Sequence, residues 1–402
     1  MNRLRRTPGS VGDRGSVGWD RDPVVRAWPG RPPLAGDVEV DACVVGLGAS
    51  GLAAVADLAA RGLSVVGLDA GRVGAWAAGR NGGFLLAGTA PGLADAAASW
   101  GRDAALALHA ATADELERQA QLLGPAVVRR VGSIRLAGLP GPDVDDAEAA
   151  DRAAEAEDCE RQATLLREIG APVEVYDGPL GHGLFLPSDA TTNPARRVVE
   201  LATRSAGTLH EHTRVRSVAP GVVECETGTV RAPVVVVAVD GRLSTLVPGV
   251  PVRSARLQML STAALAQRHR LPCAVYARWG YDYAQQQPNG SLFVGGARDR
   301  HEADEWTTDA TPTSAVQADI EAVATRMAGG PVEVTDRWAA SVGFTEDGRP
   351  CVGVAARSDA GGVAVCGGYS GTGNLVGAVA ARAAVAALVD DAPLPGWALP
   401  PR

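Results

Sequence analysis

Three glycines and one acid, spaced at fixed intervals near the N-terminus, are the residues of this chain best suited to chemistry. Gly46, Gly48 and Gly51 follow the apolar run 43–45, and Asp69 stands 18 positions after the last glycine. The first glycine permits a tight turn and the second lets the backbone approach a pyrophosphate. The third lets the following helix pack closely on the strand. This spacing predicts a site for a dinucleotide cofactor.

The residues around this motif complete a βαβ unit. An alanine- and leucine-rich stretch begins at Ala49 and Ser50, whose helical amides would face the anionic pyrophosphate. A second β-like run, 63–68, then ends at Asp69 and Ala70. We expect the carboxylate of Asp69 to accept hydrogen bonds from the hydroxyls of the adenosine ribose. An arginine at this position would instead suit a cofactor with a 2′-phosphate. Strand, glycines, helix, strand and acid occur in the required order.

Composition excludes several other classes of protein. The chain has 402 residues, 46% hydrophobic and 21% charged, and a net charge of −8. Residues 1–31 hold seven Arg and three Asp, a formal +4 that leaves −12 for the rest. An acidic body argues against a nucleic-acid partner. No apolar stretch approaches the roughly 20 residues of a transmembrane segment, and no signal core follows the first arginines, so we expect no export.

Basic and metal-ligating residues narrow the chemistry further. All 38 basic side chains are Arg, so Schiff-base and P-loop chemistries that need a lysine are excluded. The six cysteines contain no CxxC pair and the six histidines no ligand spacing, which predicts no metal site. Scattered cysteines fit a reducing cytoplasm.

The elements that must position the site follow from periodicity. Residues 1–37 are predicted to form a disordered or extended arm, because they are rich in Gly, Pro and Arg. We predict helices over 92–123, 143–169, 194–206, 313–328 and 374–389. We predict β-runs over 127–137, 183–186, 209–218, 222–226, 234–239, 256–261, 274–278, 281–285, 291–295 and 362–366. The run 234–239 is apolar throughout, which is typical of a strand buried on both faces.

Four ordered blocks resemble the DAO-type flavoproteins, which include glycine oxidase, D-amino acid dehydrogenases, sarcosine oxidase and γ-glutamylputrescine oxidase. The blocks are the βαβ unit 44–69, the run AGRNGG at 78–83, GFTEDGRP at 343–350 and GGYSGTGN at 367–374. Together the resemblance spans about residues 32–390.

The resemblance implies a mixed α/β and α+β fold of the DAO and p-hydroxybenzoate hydroxylase-like architecture. A Rossmann-like FAD-binding domain would consist of the discontinuous segments 38–95, 185–248 and 335–395. A β-rich substrate domain would hold 96–184 and 249–334.

The resemblance also assigns cofactor contacts, with FAD bound non-covalently. Arg80, Asn81, Gly82 and Gly83 would lie under the isoalloxazine ring, and the backbone of Val215 would contact the adenine. The loop before the last helix would present its amides to the pyrimidine edge of the flavin, where negative charge develops on reduction. The residues implied in this loop are Gly368, Tyr369, Ser370, Gly371, Thr372, Gly373 and Asn374, and Gly343 of the GFTEDGRP block is a further implied cofactor contact.

The implied reaction is the oxidation of a C–N bond. Flavin N5 accepts a hydride from the carbon beside a neutral amine, and the resulting imine hydrolyses. Such a reaction does not need a protein base. Tyr281, Tyr283 and Gln285 alternate along one predicted strand and share a face, so we predict that Tyr283 or Gln285 orients the substrate.

At three positions the sequence departs from the family, and these departures bear on the identity of the substrate, the flavin linkage and the electron acceptor. Residues 338–343 lack the arginine that holds the substrate carboxylate in amino-acid oxidases, which favours an amine or a carboxylate held by Arg278 or Arg298. The flavin-linking cysteine of sarcosine oxidases would fall near Ala340. Their oxygen-activating lysine would fall at Phe293, so the electron acceptor could be O₂, a quinone or a protein.

Two other interpretations remain open at this point. A catalytically silent FAD-binding partner or scaffold subunit would carry the same blocks. An NAD-dependent dehydrogenase would share the βαβ unit, but it has no use for GGYSGTGN.

Overall fold

The computed structural model describes residues 17–267 and 269–401. Its α-helices are α1 (Pro23–Arg26), α2 (Ala49–Ala60), α3 (Ala77–Arg80), α4 (Leu93–Trp100), α5 (Arg102–Leu123), α6 (Asp146–Glu168), α7 (Pro194–Thr203), α8 (Leu243–Leu246), α9 (Glu302–Glu305), α10 (Ser314–Ala328) and α11 (Val376–Val389). Short 3₁₀ turns cover Gly18–Arg21, Asp240–Arg242, Arg278–Gly280 and Arg298–His301. Within these ranges, no helix is long and apolar enough to cross a bilayer.

The strands form two large sheets and two small ones. They are β1 (Val38–Glu39), β2 (Ala42–Val45), β3 (Val65–Leu68), β4 (Phe84–Leu85), β5 (Ser133–Leu136), β6 (Glu174–Gly178), β7 (Gly181–Leu186), β8 (Ala190–Thr191), β9 (Thr208–His210), β10 (Val215–Ala219), β11 (Gly221–Cys225), β12 (Thr229–Ala232), β13 (Val234–Val237), β14 (Arg253–Ala264), β15 (Ala274–Ala277), β16 (Asp282–Gln286), β17 (Ser291–Gly295), β18 (Val334–Phe344), β19 (Cys351–Ser358) and β20 (Gly361–Gly367). The two small sheets have the orders β1-β12-β11-β10 and β4-β8.

The first large sheet is the predicted Rossmann-like core. Its six strands have the order β19-β20-β13-β2-β3-β9, and all neighbours except β19 and β20 run parallel. Val235 and Val236 of the central strand point to opposite faces and are fully buried. Val236 packs with α2 and α11, whereas Val235 packs against the sheet formed by β10–β12. The prediction of a strand buried on both faces is confirmed.

The second large sheet has eight strands in the order β18-β14-β17-β16-β15-β5-β7-β6. Helix α10 covers one face, with Val316, Ile320 and Met327 in a shared apolar core with Val294. The N-terminal residues Val17 and Trp19 cover part of the other face, where they pack with Phe293 and Trp338. Strand β18 pairs with β14 along its length, so residues 335–344 join this sheet although the sequence predicts them in the FAD-binding domain. The other domain boundaries remain predictions.

The N-terminal arm differs from its prediction. Residues 1–16 of the predicted arm 1–37 lie outside the described residues, but residues 17–37 are folded onto the protein. Trp19 is buried and stacks on Phe293, with 3.6 Å between ring centroids. The indole of Trp28 donates to Glu211 at 2.8 Å. The prediction of disorder is wrong for residues 17–37. It rests on the Gly, Pro and Arg content of the whole segment, which gives no weight to two individual tryptophans.

Glycines also shorten two predicted elements. The helix predicted over 92–123 is divided into α4 and α5 at Gly101, which has a φ of +92°. The β-run predicted over 127–137 is divided into a single bridge at Arg129 and the strand β5, since Gly132 (φ +75°) turns the chain between them. In both cases the left-handed backbone interrupts the regular element.

Candidate active site

One cavity of about 940 Å³ is lined by residues of both large sheets. This volume lies in the range typical of cofactor and substrate sites. Most of the predicted cofactor residues line it: Gly46, Gly48, Ala49, Ser50, Asp69, Ala70, Arg80, Asn81, Gly82, Val215, Tyr369, Ser370, Gly371, Thr372, Gly373 and Asn374. The fold therefore brings all four sequence blocks to a common space.

The glycine loop at the start of α2 forms a cradle that larger residues would fill. Gly46 has a φ of +101°, and a Cβ there would lie 2.5 Å from the carbonyl oxygen of Ala238. A Cβ on Gly51 would overlap the carbonyl of Gly46, so this glycine serves helix packing. Gly48 caps α2 without a side-chain hydrogen bond, and the first amides of the helix are thus available to an anion. The cradle fits a pyrophosphate.

Asp69 fixes the glycine loop as well as facing the cavity. Its Oδ2 accepts from the amide of Leu47 at 2.9 Å, and its Oδ1 accepts from Gly71 N and Trp76 Nε1. Burial raises the pKa of Asp69, and these three hydrogen bonds oppose that shift. Oδ2 holds one hydrogen bond and has capacity for a second. Contact with the adenosine ribose stays a prediction.

Two amide side chains join the RNGG and GGYSGTGN blocks. Asn81 Nδ2 donates to Asn374 Oδ1 at 3.2 Å, and Asn374 Nδ2 donates back to Asn81 Oδ1 at 3.0 Å. Asn81 Oδ1 also accepts from Gly83 N, so Gly83 lies behind the cavity wall and supports it. This reciprocal pair crosses 293 positions of sequence.

Sequence analysis missed a buried arginine beneath this pair. Arg197, on α7, is fully buried. It donates to Gln119 Oε1 at 2.7 Å and to both the side-chain and main-chain oxygens of Asn374. Burial lowers the pKa of Arg197 to about 10, and the nearby Arg118 adds to the shift. Only the tertiary contact with Asn374 distinguishes this residue from an ordinary helix arginine.

Asp240 is a second missed residue, and its carboxylate accepts from the main-chain amides of three predicted residues, Gly343, Gly368 and Tyr369. It has a φ of +43°. Its carboxylate accepts from Gly343 N at 3.0 Å and Gly368 N at 2.9 Å. Burial raises the pKa of Asp240 to about 6, against the effect of these hydrogen bonds. The amides of Gly343 and Gly368 are therefore occupied by a side chain, which does not fit their predicted contact with the cofactor.

A cross-strand row on the eight-stranded sheet forms another part of the cavity wall. Arg135, Tyr276, Tyr283 and Gly295 are successive register partners on β5, β15, β16 and β17. The space above Gly295 is filled by the ring of Tyr283, which also approaches Gly82. Burial raises the pKa of both tyrosines, so they keep their hydroxyl protons. Tyr283 thus lines the cavity as a hydrogen-bonding side chain.

Gln285 has a supporting place instead. Its side chain is buried, and its amide donates to the carbonyls of Gly82 and Thr192. The prediction that Gln285 orients the substrate does not fit this placement, because the amide nitrogen is bound to backbone. Tyr281, predicted on the same strand face, lies in the turn before β16 and lines the cavity.

The two arginines proposed for a carboxylate occupy different environments. Arg278 is bound by Asp282 at 2.8 Å and by Asp299, so carboxylates of the chain itself already neutralise it. Arg298 lines the cavity. His109 of α5, which sequence analysis did not single out, lines the cavity as well. Burial lowers the pKa of His109, which favours its neutral form.

Comparisons with known proteins agree with this geometry. A family model described as FAD-dependent oxidoreductase, DAO, matches residues 41–387. L-proline dehydrogenase from P. horikoshii superposes with a TM-score of 0.68 at 15% identity, covering 90% of this chain and 95% of that one. Glycine oxidase from Geobacillus kaustophilus gives 0.64 at 22% identity, covering 88% and 95%.

L-amino acid deaminase from Proteus vulgaris gives a TM-score of 0.65 at 16% identity, covering 90% of this chain and 92% of that one. At such identities the three structures establish the shared fold. No curated protein matches the chain.

Proposed function

Because this chain belongs to the DAO family of FAD-dependent oxidoreductases, we propose that it oxidises a C–N bond of an amine or amino acid. The observation that carries the proposal is the continuity of one cavity from the glycine loop to the row that contains Tyr283. A glycine oxidase, an L-proline dehydrogenase and an L-amino acid deaminase share the fold, which supports a substrate of this class.

The chain's own residues suit FAD bound without a covalent link. The amides at the start of α2 would hold the pyrophosphate, and the Asn81–Asn374 pair would position the two loops against the flavin. Bound FAD supplies the acceptor for the hydride that leaves the carbon beside nitrogen. Ala340, the position of the flavin-linking cysteine in sarcosine oxidases, lines the cavity and offers no thiol.

On the substrate side, the cavity supplies hydrogen bonds and an unprotonated base. The hydroxyls of Tyr276 and Tyr283 stay neutral and can donate to an anionic or carbonyl oxygen. The lowered pKa of His109 leaves a ring nitrogen able to accept a proton from a substrate ammonium. Loss of that proton gives the neutral amine that hydride transfer needs.

The surroundings of Phe293 argue for an acceptor other than O₂. Its ring lies against Trp19 and Trp338, at centroid distances of 3.6 and 6.0 Å. The position that carries a lysine in sarcosine oxidases is therefore an apolar stack. We propose that a quinone or a protein accepts the electrons.

An anaerobic reduction screen tests the function. Purified holoprotein should absorb at about 450 nm, as oxidised flavin does. Acid denaturation should release the yellow cofactor into the supernatant. A panel of amines and amino acids is then added without oxygen, and bleaching identifies the substrate. Reoxidation by a soluble quinone should outpace reoxidation by air.

The same screen distinguishes the proposed oxidoreductase from a catalytically silent FAD-binding subunit. A yellow protein that no amine or amino acid bleaches would be a silent FAD-binding subunit, and the proposed oxidation would be wrong. Matched wells with free FAD measure the background reduction by each compound.

A further inference from the structure

We propose that Arg298 binds an anionic group of the substrate, so that the substrate carries a carboxylate or a similar oxyanion beside its amine. This inference rests on the proposed function and narrows its substrate class. It begins from the position of Arg298, in the 3₁₀ turn Arg298–His301 after β17, on the wall of the cavity.

Aromatic rings hold the guanidinium of Arg298 in place. Its Cζ lies 5.0 Å from the ring centroid of Trp306 and 4.8 Å from that of Phe344. The two rings meet edge to face, with centroids 5.7 Å apart and an interplanar angle of 83°. Cation–π contacts hold the charge without occupying its N–H donors, which stay available to a ligand. The side chain is therefore oriented before any ligand arrives.

The charge of Arg298 is poorly compensated. Its side chain is only 12% exposed, and Nη1 is buried without a hydrogen-bond partner among the described residues. Glu302 Oε1 lies 3.9 Å from Nη1, but the Glu302 side chain is 57% exposed. A second cation, Arg253, stacks on the same indole at 4.0 Å. A buried guanidinium in this state gains most from an incoming anion.

Other arginines of the site have partners within the chain. Arg135 forms an ion pair with the buried Asp158. Arg242 donates to the carbonyl of Thr308, and Arg80 donates to that of Ala339. Arg298 is thus the better anchor for an external charge.

The location of Arg298 also relates to the arginine that this chain lacks. Phe344, which holds its guanidinium, ends β18 and lines the cavity together with Val342, two positions earlier on the same strand face. This is the stretch that lacks the carboxylate-binding arginine of the amino-acid oxidases. The turn after β17 thus brings the charge of Arg298 against the end of this strand.

Carboxylate binding to the FAD-loaded protein tests the inference without turnover. Benzoate and its neutral analogue benzamide are titrated while the flavin spectrum and the thermal midpoint are followed. Wild type should bind benzoate more tightly than benzamide. Arg298→Met should weaken benzoate binding roughly 10- to 100-fold, the usual worth of a hydrogen bond to a charged group, and leave benzamide binding unchanged. Arg298→Lys should recover part of the loss.

Arg253→Met is the matched control, because Arg253 is exposed and lies outside the cavity lining. Losing this exposed cation should change benzoate binding less than about threefold. If Arg298→Met does not retain FAD, Arg298→Gln takes its place.

Equal binding of benzoate and benzamide by wild type, unchanged benzoate binding in Arg298→Met, or no saturable binding of benzoate, acetate or glycine would each overturn the inference. The failure of the proposed oxidation is a separate result, seen only in the reduction screen.

Discussion

Replacing Trp19 by alanine should lower both the stability of the protein and its affinity for FAD. Trp19 is 1% exposed and stacks on Phe293 at an interplanar angle of 15°. Its indole N–H donates to the carbonyl of Asn81 at 2.9 Å. Asn81 is one half of the amide pair that joins the two flavin-facing loops, so the N-terminal segment supports the cofactor site from behind.

The magnitude follows from the contacts that are lost. Truncation of a buried Trp to Ala costs about 3–5 kcal/mol in unfolding free energy, and loss of the hydrogen bond adds about 1 kcal/mol. Trp19→Ala should therefore lower the free energy of unfolding by about 4–6 kcal/mol. Trp19→Phe keeps a ring on Phe293 and should cost only about 1–2 kcal/mol.

Urea unfolding followed by circular dichroism measures the first effect, and flavin fluorescence measures the FAD dissociation constant. Trp279→Ala serves as control, because that indole is 45% exposed and its removal should cost less than about 1 kcal/mol. A loss below about 1 kcal/mol in Trp19→Ala, with FAD affinity intact, would show that the segment does not pack as described.

Two further substitutions examine the cradle and a buried acid. Gly46→Ala should yield protein without the flavin band near about 450 nm, since its Cβ would meet the carbonyl of Ala238; Gly36→Ala, also at positive φ but with nothing within 4 Å, should keep the colour. Burial raises the pKa of Asp189 to about 7, opposed by hydrogen bonds from Ser133 and Ala87. The native state therefore holds a proton that the unfolded state has lost, and stability should fall as pH rises from about 4 to 7. Asp189→Asn keeps partners for both hydrogen bonds and does not titrate, so the free energy of unfolding of this variant should depend less on pH. Above pH 7 the variant should be more stable than the wild type by at most about 4 kcal/mol. An unfolding midpoint with the same pH profile as the wild type would contradict the raised pKa of Asp189.

Local spacing made the cofactor half of the site predictable. The glycine loop, Asp69 and the loop before α11 are each read from a few consecutive residues, and the parallel core follows from its apolar run. The FAD-binding fold, the family and its enzymatic nature are confirmed. The individual contacts of those residues with FAD remain predictions.

What the sequence could not show depends on contacts between distant elements. Strand alternation placed Tyr283 and Gln285 on one face, yet only Tyr283 reaches the cavity, because Thr192 and Gly82 bind the amide of Gln285. Arg197 and Asp240 acquire their roles from partners more than 100 positions away. No periodicity marks such residues.

The amide pair between Asn81 and Asn374 has a consequence for how the protein is made. Its two halves are separated by 293 positions, so the ribosome must translate that much more chain after Asn81 before the second half exists. We expect nascent chains that stop before Asn374 to emerge colourless even when the coenzyme is abundant. Flavin loading would then follow the synthesis of Asn374 rather than that of the glycine loop.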